Sequence, residues 1–300
     1  MTRVAMRRRE LDEAGITAIR SGDVPWTVAA APNPGWAGEV FGEPDVERLW
    51  AAVAMAMRLD QPDPVAAWHD HIAMLRSRRI ALDALDLDSI HFSGDGTDLH
   101  VGLIRDSKWM SPPAATNAGI EFVPNMPTEE VFTSPDFRRS EGVARVTAPL
   151  VLADGSLVTG LRLRFESGRI VNVQADVGAN LVRAQLLEDE QAPYLGEVAL
   201  VDGSSAVAQA GVVFHDTLFD ENANSHIAWG RGFDDALPGS ADLDRDARLA
   251  AGLNQSTIHT DVVIGGPEVA VDGVGRDGRV TPIIRNGRWL LLAGDAPAPA

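Results

Sequence analysis

The first 88 residues place their apolar side chains at helical spacing. This spacing predicts a helix over residues 3–21 and two more in the stretches PDVERLWAAVAMAMRLD and DPVAAWHDHIAMLRSRRIALDAL. Between the first two of these helices, VPWTVAAAP has the composition of a short buried strand. The stretch NPGWAGEVFG, which follows it, is rich in Pro and Gly and predicts a turn.

Near residue 89 the apolar period changes from that of a helix to two. SIHFSGDGTDLHVGLI predicts a hairpin about its Gly-Asp-Gly turn, and GRVTPIIRNGRWLLL predicts another pair of strands. Between them, residues 143–176 predict a β-meander with turns at Asp154-Gly155 and Ser167-Gly168. The stretch ANLVRAQLLEDEQAPYLG predicts a helix that closes near Gly196.

Together these patterns predict an α+β fold. A helical segment over residues 1–88 leads into a strand-rich domain with interleaved helices over residues 89–295, and APAPA at 296–300 forms a disordered tail. With 45% hydrophobic residues among 300, the chain can bury a sizeable core.

Charge and cysteine content exclude several classes of function. The formal net charge is −17 and Lys108 is the only lysine, so neither nucleic acid nor an anionic membrane is an expected partner. The absence of cysteine excludes disulfides, thiolate metal sites and cysteine nucleophiles. Because no apolar run is long enough for a membrane span or a secretory signal, we expect a soluble, cytoplasmic protein.

Four short stretches of the strand-rich part are dense in residue types that bind metals. They are NMPTEEVFTSPD, LGEVALV, LFDENANSHIAWG and NQSTIHTDVVIGG. In the last, His259 and Asp261 stand two residues apart, so a strand would present both on one face. Glu129 and Glu130 are neighbours, and in an extended segment they face opposite ways. One of these two glutamates is therefore expected to bind a given metal directly, which leaves the other free to act on water or to hold a partner.

The two middle stretches add further candidate ligands. Glu197 follows Gly196 at the predicted junction between a helix and a strand, where a carboxylate can project from the end of a rigid element. Glu221 and His226 stand five residues apart, about 500° of helical rotation, and so do not share a helix face. DENANSHIAWG is therefore predicted to be a loop.

The combined donor set suits zinc, manganese or cobalt better than a soft, thiophilic ion. It consists of four carboxylates and two imidazoles, those of Glu130, Glu197, Glu221, Asp261, His226 and His259. Four carboxylates balance two divalent ions, whereas one ion would leave excess negative charge in a cleft. Charge balance therefore favours a dinuclear site with a bridging carboxylate and a water of lowered pKa.

These motifs, in this order, closely resemble those of the thermophilic-type metallo-aminopeptidases, the family of aminopeptidases T and S. The resemblance rests on the four stretches above, on GTDLHVGL before them and on VDGVGRDG after them, and it extends over nearly the whole chain. It implies a two-metal exopeptidase, active as a homodimer, that removes N-terminal residues from peptides. Carried over position by position, the family's ligands fall on the six residues named above.

The resemblance also implies roles for the neighbouring glutamates, and the chain differs from the family's usual pattern in two respects. Spacing to Glu197 favours Glu130 over Glu129 as the ligand. Glu129 is therefore the candidate general base. The alternative is that the Glu129 carboxylate only orients the site. The family usually begins with a further α/β domain, so this chain is expected to be a fragment or a shorter relative with an open active site. Phe233 stands where relatives usually carry a tyrosine, whose hydroxyl could donate a hydrogen bond that phenylalanine cannot.

Two other functions remain open at this point. A dinuclear phosphoesterase would use the same metals, but it usually needs nearby basic residues, and the motif stretches offer only Arg231. A catalytically impaired metal-binding or interaction domain would also retain the motifs. The remaining histidines are expected to be packed or exposed without a chemical role; they are His69, His71, His91, His100 and His215.

Overall fold

The computed structural model describes residues 21–152 and 155–291, together with residues 15, 18 and 19. Most of the predicted helix over 3–21, and the whole predicted tail over 296–300, lie outside the described residues. Within the described residues the chain combines helices with two large antiparallel sheets and three two-stranded sheets, so the predicted α+β class is confirmed. No helix in this part of the chain is long and apolar enough to cross a membrane.

Within residues 21–152, three helices precede the main strands: α1 (Pro34–Phe41), α2 (Val46–Ala56) and α3 (Pro64–Asp83). The two longer ones are where the apolar spacing predicts them. The predicted turn at NPGWAGEVFG is wrong, because this segment forms α1. Asn33 accepts a hydrogen bond from the Trp36 N–H at 3.0 Å, and Pro34 occupies the first turn, so the polar and Pro residues start a helix here.

The predicted buried strand before α1 is also different in the structure. Only Val28–Ala29 (β1) is extended, and both residues are exposed. This short strand pairs in parallel with Asn125–Met126. Alternation alone cannot distinguish a buried strand from an exposed edge, because burial depends on what covers the segment.

Eight strands form the larger sheet. In spatial order they are β12 (Arg169–Gln174), β11 (Arg162–Glu166), β8 (Pro135–Arg145), β3 (Thr97–Leu103), β2 (Leu87–Gly94), β16 (Val269–Gly275), β17 (Val280–Arg285) and β18 (Arg288–Trp289). Every neighbouring pair is antiparallel. The predicted hairpins are confirmed, and two of their turns, Ser167-Gly168 and Asn286-Gly287, use positive φ at both residues, which suits the twist of the strands.

The smaller sheet has four antiparallel strands and carries most of the candidate ligands. Its order is β15 (His259–Val263), β14 (His226–Gly230), β13 (Leu195–Leu200) and β7 (Val131–Thr133). The other short elements are β4 (Ala114–Ala115), β5 (Glu121–Phe122), β6 (Asn125–Met126), β9 (Leu150–Val151), β10 (Leu157–Val158), α4 (Ala179–Gln185), α5 (Ala206–Gln209), α6 (Thr217–Asp220) and α7 (Arg245–Ala250).

The helix predicted to reach Gly196 is shorter in the structure. α4 ends at Gln185, and the backbone then turns, with Asp189 accepting hydrogen bonds from the N–H groups of Gln191 and Ala192. Gly196 and Glu197 consequently lie inside β13 rather than at a helix-to-strand junction. The Asp side chain competes for backbone N–H groups, which helical periodicity does not take into account.

The helical segment packs against the strand-rich part. Leu75 and Leu82 of α3 belong to the main hydrophobic core, together with residues of both sheets. A second cluster joins α1 and α2 to Phe214 and Phe219, which precede and belong to α6. The two sheets and α3 therefore share one core beneath the candidate site.

Candidate metal centre

The smaller sheet has one apolar face, which packs on the core, and one face that carries the candidate ligands. Val198, Ile227 and Trp229 are fully buried and contribute to the main core. On β14 the alternate positions are His226, Ala228 and Gly230, which therefore point to the opposite face. Because side chains alternate along a strand, β14 contributes to the core with one face and to the candidate site with the other.

Strand register assembles the candidate ligands around Ala228. This alanine pairs with Glu197 on one side and with Asp261 on the other, while His259 pairs with Gly230. Residues paired across neighbouring strands project from the same face of a sheet. A methyl group and a hydrogen atom at the centre of this face leave room between the ligands from the flanking strands.

Glu130, Glu197 and His226 form a first group of three candidate ligands. Glu130 directly precedes β7, and its Oε2 lies 3.0 Å from His226 Nε2. Glu197 Oε1 lies 3.9 Å from the same nitrogen. All three residues are buried, so their polar atoms converge where water has little access.

A second group of three ligands also contains Glu197. Its other oxygen, Oε2, lies 3.1 Å from His259 Nε2, which lies 3.1 Å from Asp261 Oδ1. His259 Nδ1 is 2.7 Å from the Arg231 carbonyl, which can only accept, so Nδ1 is the donor and Nε2 faces the carboxylates. The predicted arrangement of His259 and Asp261 on one strand face is therefore confirmed.

Glu221 reaches this group from a short helical segment. DENANSHIAWG is not a loop as predicted: it contains the end of α6, a 3₁₀ turn over Glu221–Ala223 and the whole of β14. The tight turn places Glu221 close enough to Asp261 for the two carboxylates to repel each other. Within the same turn, the Asn222 side chain accepts a 2.7 Å hydrogen bond from the Glu129 backbone N–H. The 3₁₀ turn therefore connects two of the predicted functional stretches.

Burial and mutual repulsion perturb the pKa values of this cluster strongly. Burial, with repulsion from Asp261 and Glu130, raises the pKa of Glu197 to about 7, and the same causes raise that of Glu221 well above its usual range. Burial alone would lower the pKa of His226, but the surrounding carboxylates raise it to about 10. The site therefore attracts positive charge, in the form of protons or of metal cations.

The residues fit a divalent metal centre. Glu130 Oε2 is buried and has no hydrogen-bond partner of good geometry among the described residues, which is unusual for a carboxylate oxygen. The donors are carboxylate oxygens and imidazole nitrogens, the set that zinc, cobalt and manganese accept. The two groups of three share Glu197, whose two oxygens face different partners.

Glu129, the predicted general base, points away from its neighbour and into a separate buried network. Arg58 donates to both of its oxygens, at 2.6 and 2.9 Å, and the Ala206 N–H donates at 3.2 Å. His71 Nε2 lies 3.5 Å from the carboxylate. Burial raises the pKa of Glu129, while the Arg58 guanidinium opposes that shift.

Comparison with known proteins identifies the family. The family described as thermophilic metalloprotease (M29) matches residues 1–289. The chain belongs to this family. The resemblance seen in the motifs is therefore confirmed over almost the full length of the sequence.

Individual relatives of the M29 chain agree with this assignment. It is 46% identical to Aminopeptidase T of Thermus thermophilus over 270 residues, and 40% identical to Aminopeptidase PepS of Streptococcus thermophilus over 279 residues. These matches cover 89% and 91% of this chain, but 65% and 67% of the relatives. The solved structure of wild-type AmpT from Thermus thermophilus superposes with a TM-score of 0.85 at 42% identity, covering 92% of this chain and 68% of that one. The chain thus spans about two thirds of the length of its M29 relatives.

Phe233 lies beside the metal centre of this M29 chain. Its ring contacts the His259 ring edge-on, with 5.4 Å between centroids, and also contacts Phe132 at 4.9 Å. The Phe233 N–H donates a 2.7 Å hydrogen bond to Ser134 Oγ, which holds the residue in place. The Phe233 ring therefore lies next to one of the candidate ligands, His259.

Sequence reasoning missed the residues that support the ligands. Arg58 and His71 contact Glu129 from the helical segment, and Ala228 provides the space between the ligand-bearing strands. His71 was expected to be a packed or solvated histidine, and it is indeed buried. Arg58 has an unusual backbone conformation, with a φ of 57°. This feature is visible only in the structure, so the sequence carries no local signal for the contact between Arg58 and Glu129.

Proposed function

We propose that this chain is an aminopeptidase that removes N-terminal residues from peptides with the help of two divalent metal ions. The observation that carries the proposal is the pair of three-ligand groups sharing Glu197, assembled on one face of a sheet in a metalloprotease family chain. Two ligand groups with one common carboxylate are the arrangement expected of a dinuclear centre.

Each ligand has a distinct position in this proposal. Glu130 and His226 would hold one ion and His259 and Asp261 the other, with Glu197 bridging and Glu221 on the Asp261 side. When bound, such ions acidify a water molecule and polarise the scissile carbonyl. The free α-amine of a peptide would dock beside the ions and carboxylates, which would give selectivity for N-termini.

Glu129 remains our candidate for the group that transfers protons. Its adjacency to Glu130 supports this role, and burial raises its pKa above the ordinary value of a glutamate. The salt bridge with Arg58 supports the alternative, in which Glu129 orients the segment that carries Glu130. The family resemblance further supports zinc, cobalt or manganese as cofactors, a homodimer and a cytoplasmic location as proposals.

Metal analysis combined with hydrolysis assays tests the proposal. We expect two ions per chain at the centre and hydrolysis of amino-acid amides and of peptides with a free N-terminus, but not of N-acetylated peptides. Glu197→Gln should lose both ions and at least about 10³-fold in kcat/KM, because the shared ligand serves both positions. Glu190→Gln, the same change at an exposed glutamate, should retain both.

Other outcomes of these assays would contradict the proposal. Turnover of phosphate esters in place of amides would identify a phosphoesterase. Two bound ions without any hydrolysis would identify a catalytically impaired member of the family. An unchanged rate in Glu197→Gln would remove the shared carboxylate from the mechanism.

A further inference from the structure

A second cluster of metal-ligand side chains lies on the larger sheet, outside the metal centre. On β2 and β3 the residues Ile90, Phe92 and Leu99 are fully buried against the core. His91 and His100 alternate with them and therefore lie on the opposite, outer face of the sheet. The metal centre lies on the smaller sheet, so the two clusters belong to different parts of the fold.

The two histidines form a cross-strand pair. His91 is directly opposite His100 in the register of β2 and β3. Their rings are stacked almost in parallel, with 3.9 Å between centroids and an interplanar angle of 5°. Two imidazoles held side by side by a rigid antiparallel pair cannot move far apart, so their ligand atoms are preorganised.

Asp98 adds a carboxylate to this pair. It stands two residues before His100 on the same face of β3, and its Oδ1 lies 2.7 Å from His91 Nε2. One potential ligand atom from each of the three residues lies within 4.8 Å of the other two. The side chain of Asp98 is 74% exposed, so it can rotate without disturbing the core.

The neighbouring strands do not supply a competing cation to the cluster. Asp272 of β16 is opposite His91, and it is already paired with Arg285. Glu141 of β8 is opposite His100 and accepts the Ser167 backbone N–H. The basic side chains nearest the cluster on these strands are thus paired with carboxylates outside it: Arg285 with Asp272, and Arg145 of β8 with Asp95.

We propose that His91, Asp98 and His100 form a separate surface site for a divalent transition-metal ion such as Zn²⁺. Two imidazoles and one carboxylate are a common three-ligand set for Zn²⁺, with water in the fourth position. Zinc–nitrogen and zinc–oxygen bonds of about 2.0–2.2 Å require ligand atoms about 3.3 Å apart, so the stacked rings would turn about their Cβ–Cγ bonds to direct both nitrogen lone pairs at one ion. By the general order of affinities, Cu²⁺ should bind more tightly than Zn²⁺.

The protonation states agree with this geometry. Partial burial and the neighbouring His91 lower the pKa of His100, so its ring is neutral and has a free lone pair at neutral pH. The hydrogen bond from His91 lowers the pKa of Asp98, which is therefore ionised. An ion at this site would bridge β2 and β3 and raise the melting temperature of the protein.

Zinc binding to the full chain, with its metal centre already loaded, tests the site. Isothermal titration with Zn²⁺ should show one further ion per chain, and the melting temperature should rise with added Zn²⁺. In His100→Gln the affinity for this ion should fall at least about tenfold, and the melting shift should disappear. His69→Gln, the same change at an exposed histidine of α3, should behave like the parent protein.

The outcomes separate this site from the proposed peptidase centre. Glu197→Gln should still bind the surface ion, and His100→Gln should retain peptidase activity, which also confirms that it is folded. Equal zinc stoichiometry and affinity in the parent protein and in His100→Gln would overturn the surface site, whatever the activity assays show. Loss of peptidase activity in every sample would leave the surface titration unaffected and would contradict only the proposed function.

Discussion

Phe233 lies beside the candidate metal centre, at a position where the family resemblance implies a tyrosine. Its ring touches His259 but offers no hydrogen-bond donor. We predict that Phe233→Tyr raises kcat by as much as about 10²-fold, the scale of one oxyanion donor, without changing the metal content. Steady-state kinetics on an amino-acid amide measures this effect.

A matched control for that prediction is Phe137→Tyr. Phe137 packs edge-on against Tyr194, so the same chemical change occurs in another edge-on aromatic contact. This variant should keep the parent rate. If Phe233→Tyr also keeps the parent rate, a hydroxyl at this position has no part in the reaction.

Glu129 is the second residue whose role a single substitution can test. Glu129→Gln keeps the shape of the side chain but removes its charge and its capacity to take a proton. We predict a fall in kcat of about 10²–10⁴-fold, with two ions still bound, and loss of the acidic limb of the pH–rate profile.

The pH profile distinguishes proton transfer from positioning. A glutamate that only orients Glu130 through Arg58 would change metal affinity and KM while leaving the shape of the profile intact. Glu190→Gln serves as the control here as well. Full activity in Glu129→Gln would exclude the residue from the mechanism.

At the scale of the element, β14 places a small residue between two ligand-bearing strands. Ala228 pairs with both Glu197 and Asp261. We predict that Ala228→Leu abolishes binding of at least one ion, because the larger side chain occupies the space between the carboxylates, and that it destabilises the protein by about 1–3 kcal/mol.

Metal content after dialysis and chemical denaturation measure these two effects. Ala184→Leu, the same change at an exposed position of α4, should alter neither of them. Two ions retained in Ala228→Leu would show that the face around this alanine is not where the ions bind.

The segment before β15 depends on a different carboxylate, that of Asp189. It accepts hydrogen bonds from the Thr257 N–H, the Thr257 hydroxyl and the Ser256 hydroxyl, each at 2.8 Å. Asp189→Ala should cost about 1–3 kcal/mol of unfolding free energy, since it leaves these donors without their partner. Urea denaturation at neutral pH checks this value.

The pH dependence of this contribution follows from the pKa of Asp189. Burial alone would raise that pKa, but the hydrogen bonds from Thr257 and Ser256 lower it from 3.8 to about 2. The folded state therefore binds this proton less readily than the unfolded chain. The contribution is present above pH 4 and is lost as the pH falls toward 2, so the two proteins should converge in stability in acid.

At the scale of the whole molecule, bound metal should contribute to stability. Four carboxylates of the site lie on or beside one sheet that packs on the main core. We predict that a chelator lowers the melting temperature and that Zn²⁺ or Co²⁺ restores it, because ions at 100 times their Kd add about 2.7 kcal/mol per site. Differential scanning calorimetry of the parent protein and Glu197→Gln tests this, and an equal chelator effect in both would contradict it.

Much of the fold could be predicted because the evidence for it is local. The hairpins at Ser167-Gly168 and Asn286-Gly287 need only turn residues between alternating strands, and both are found. Two of the wrong predictions, at NPGWAGEVFG and beyond Gln185, come from capping and side-chain hydrogen bonds that compete with periodicity. The boundary of the helical segment at residue 88 stays a prediction, although α3 shares its core with both sheets.

For the candidate site as well, some properties could be predicted from the sequence and others depend on the structure. Donor chemistry, charge balance and motif order are properties of the chain itself, so the sequence alone determined the kinds of ligand and the family. Which oxygen faces which nitrogen, and that Glu197 belongs to both groups of three, depends on strand register across β13, β14 and β15. Only the tertiary structure decided this, because register arises from the packing of one sheet face on a common core.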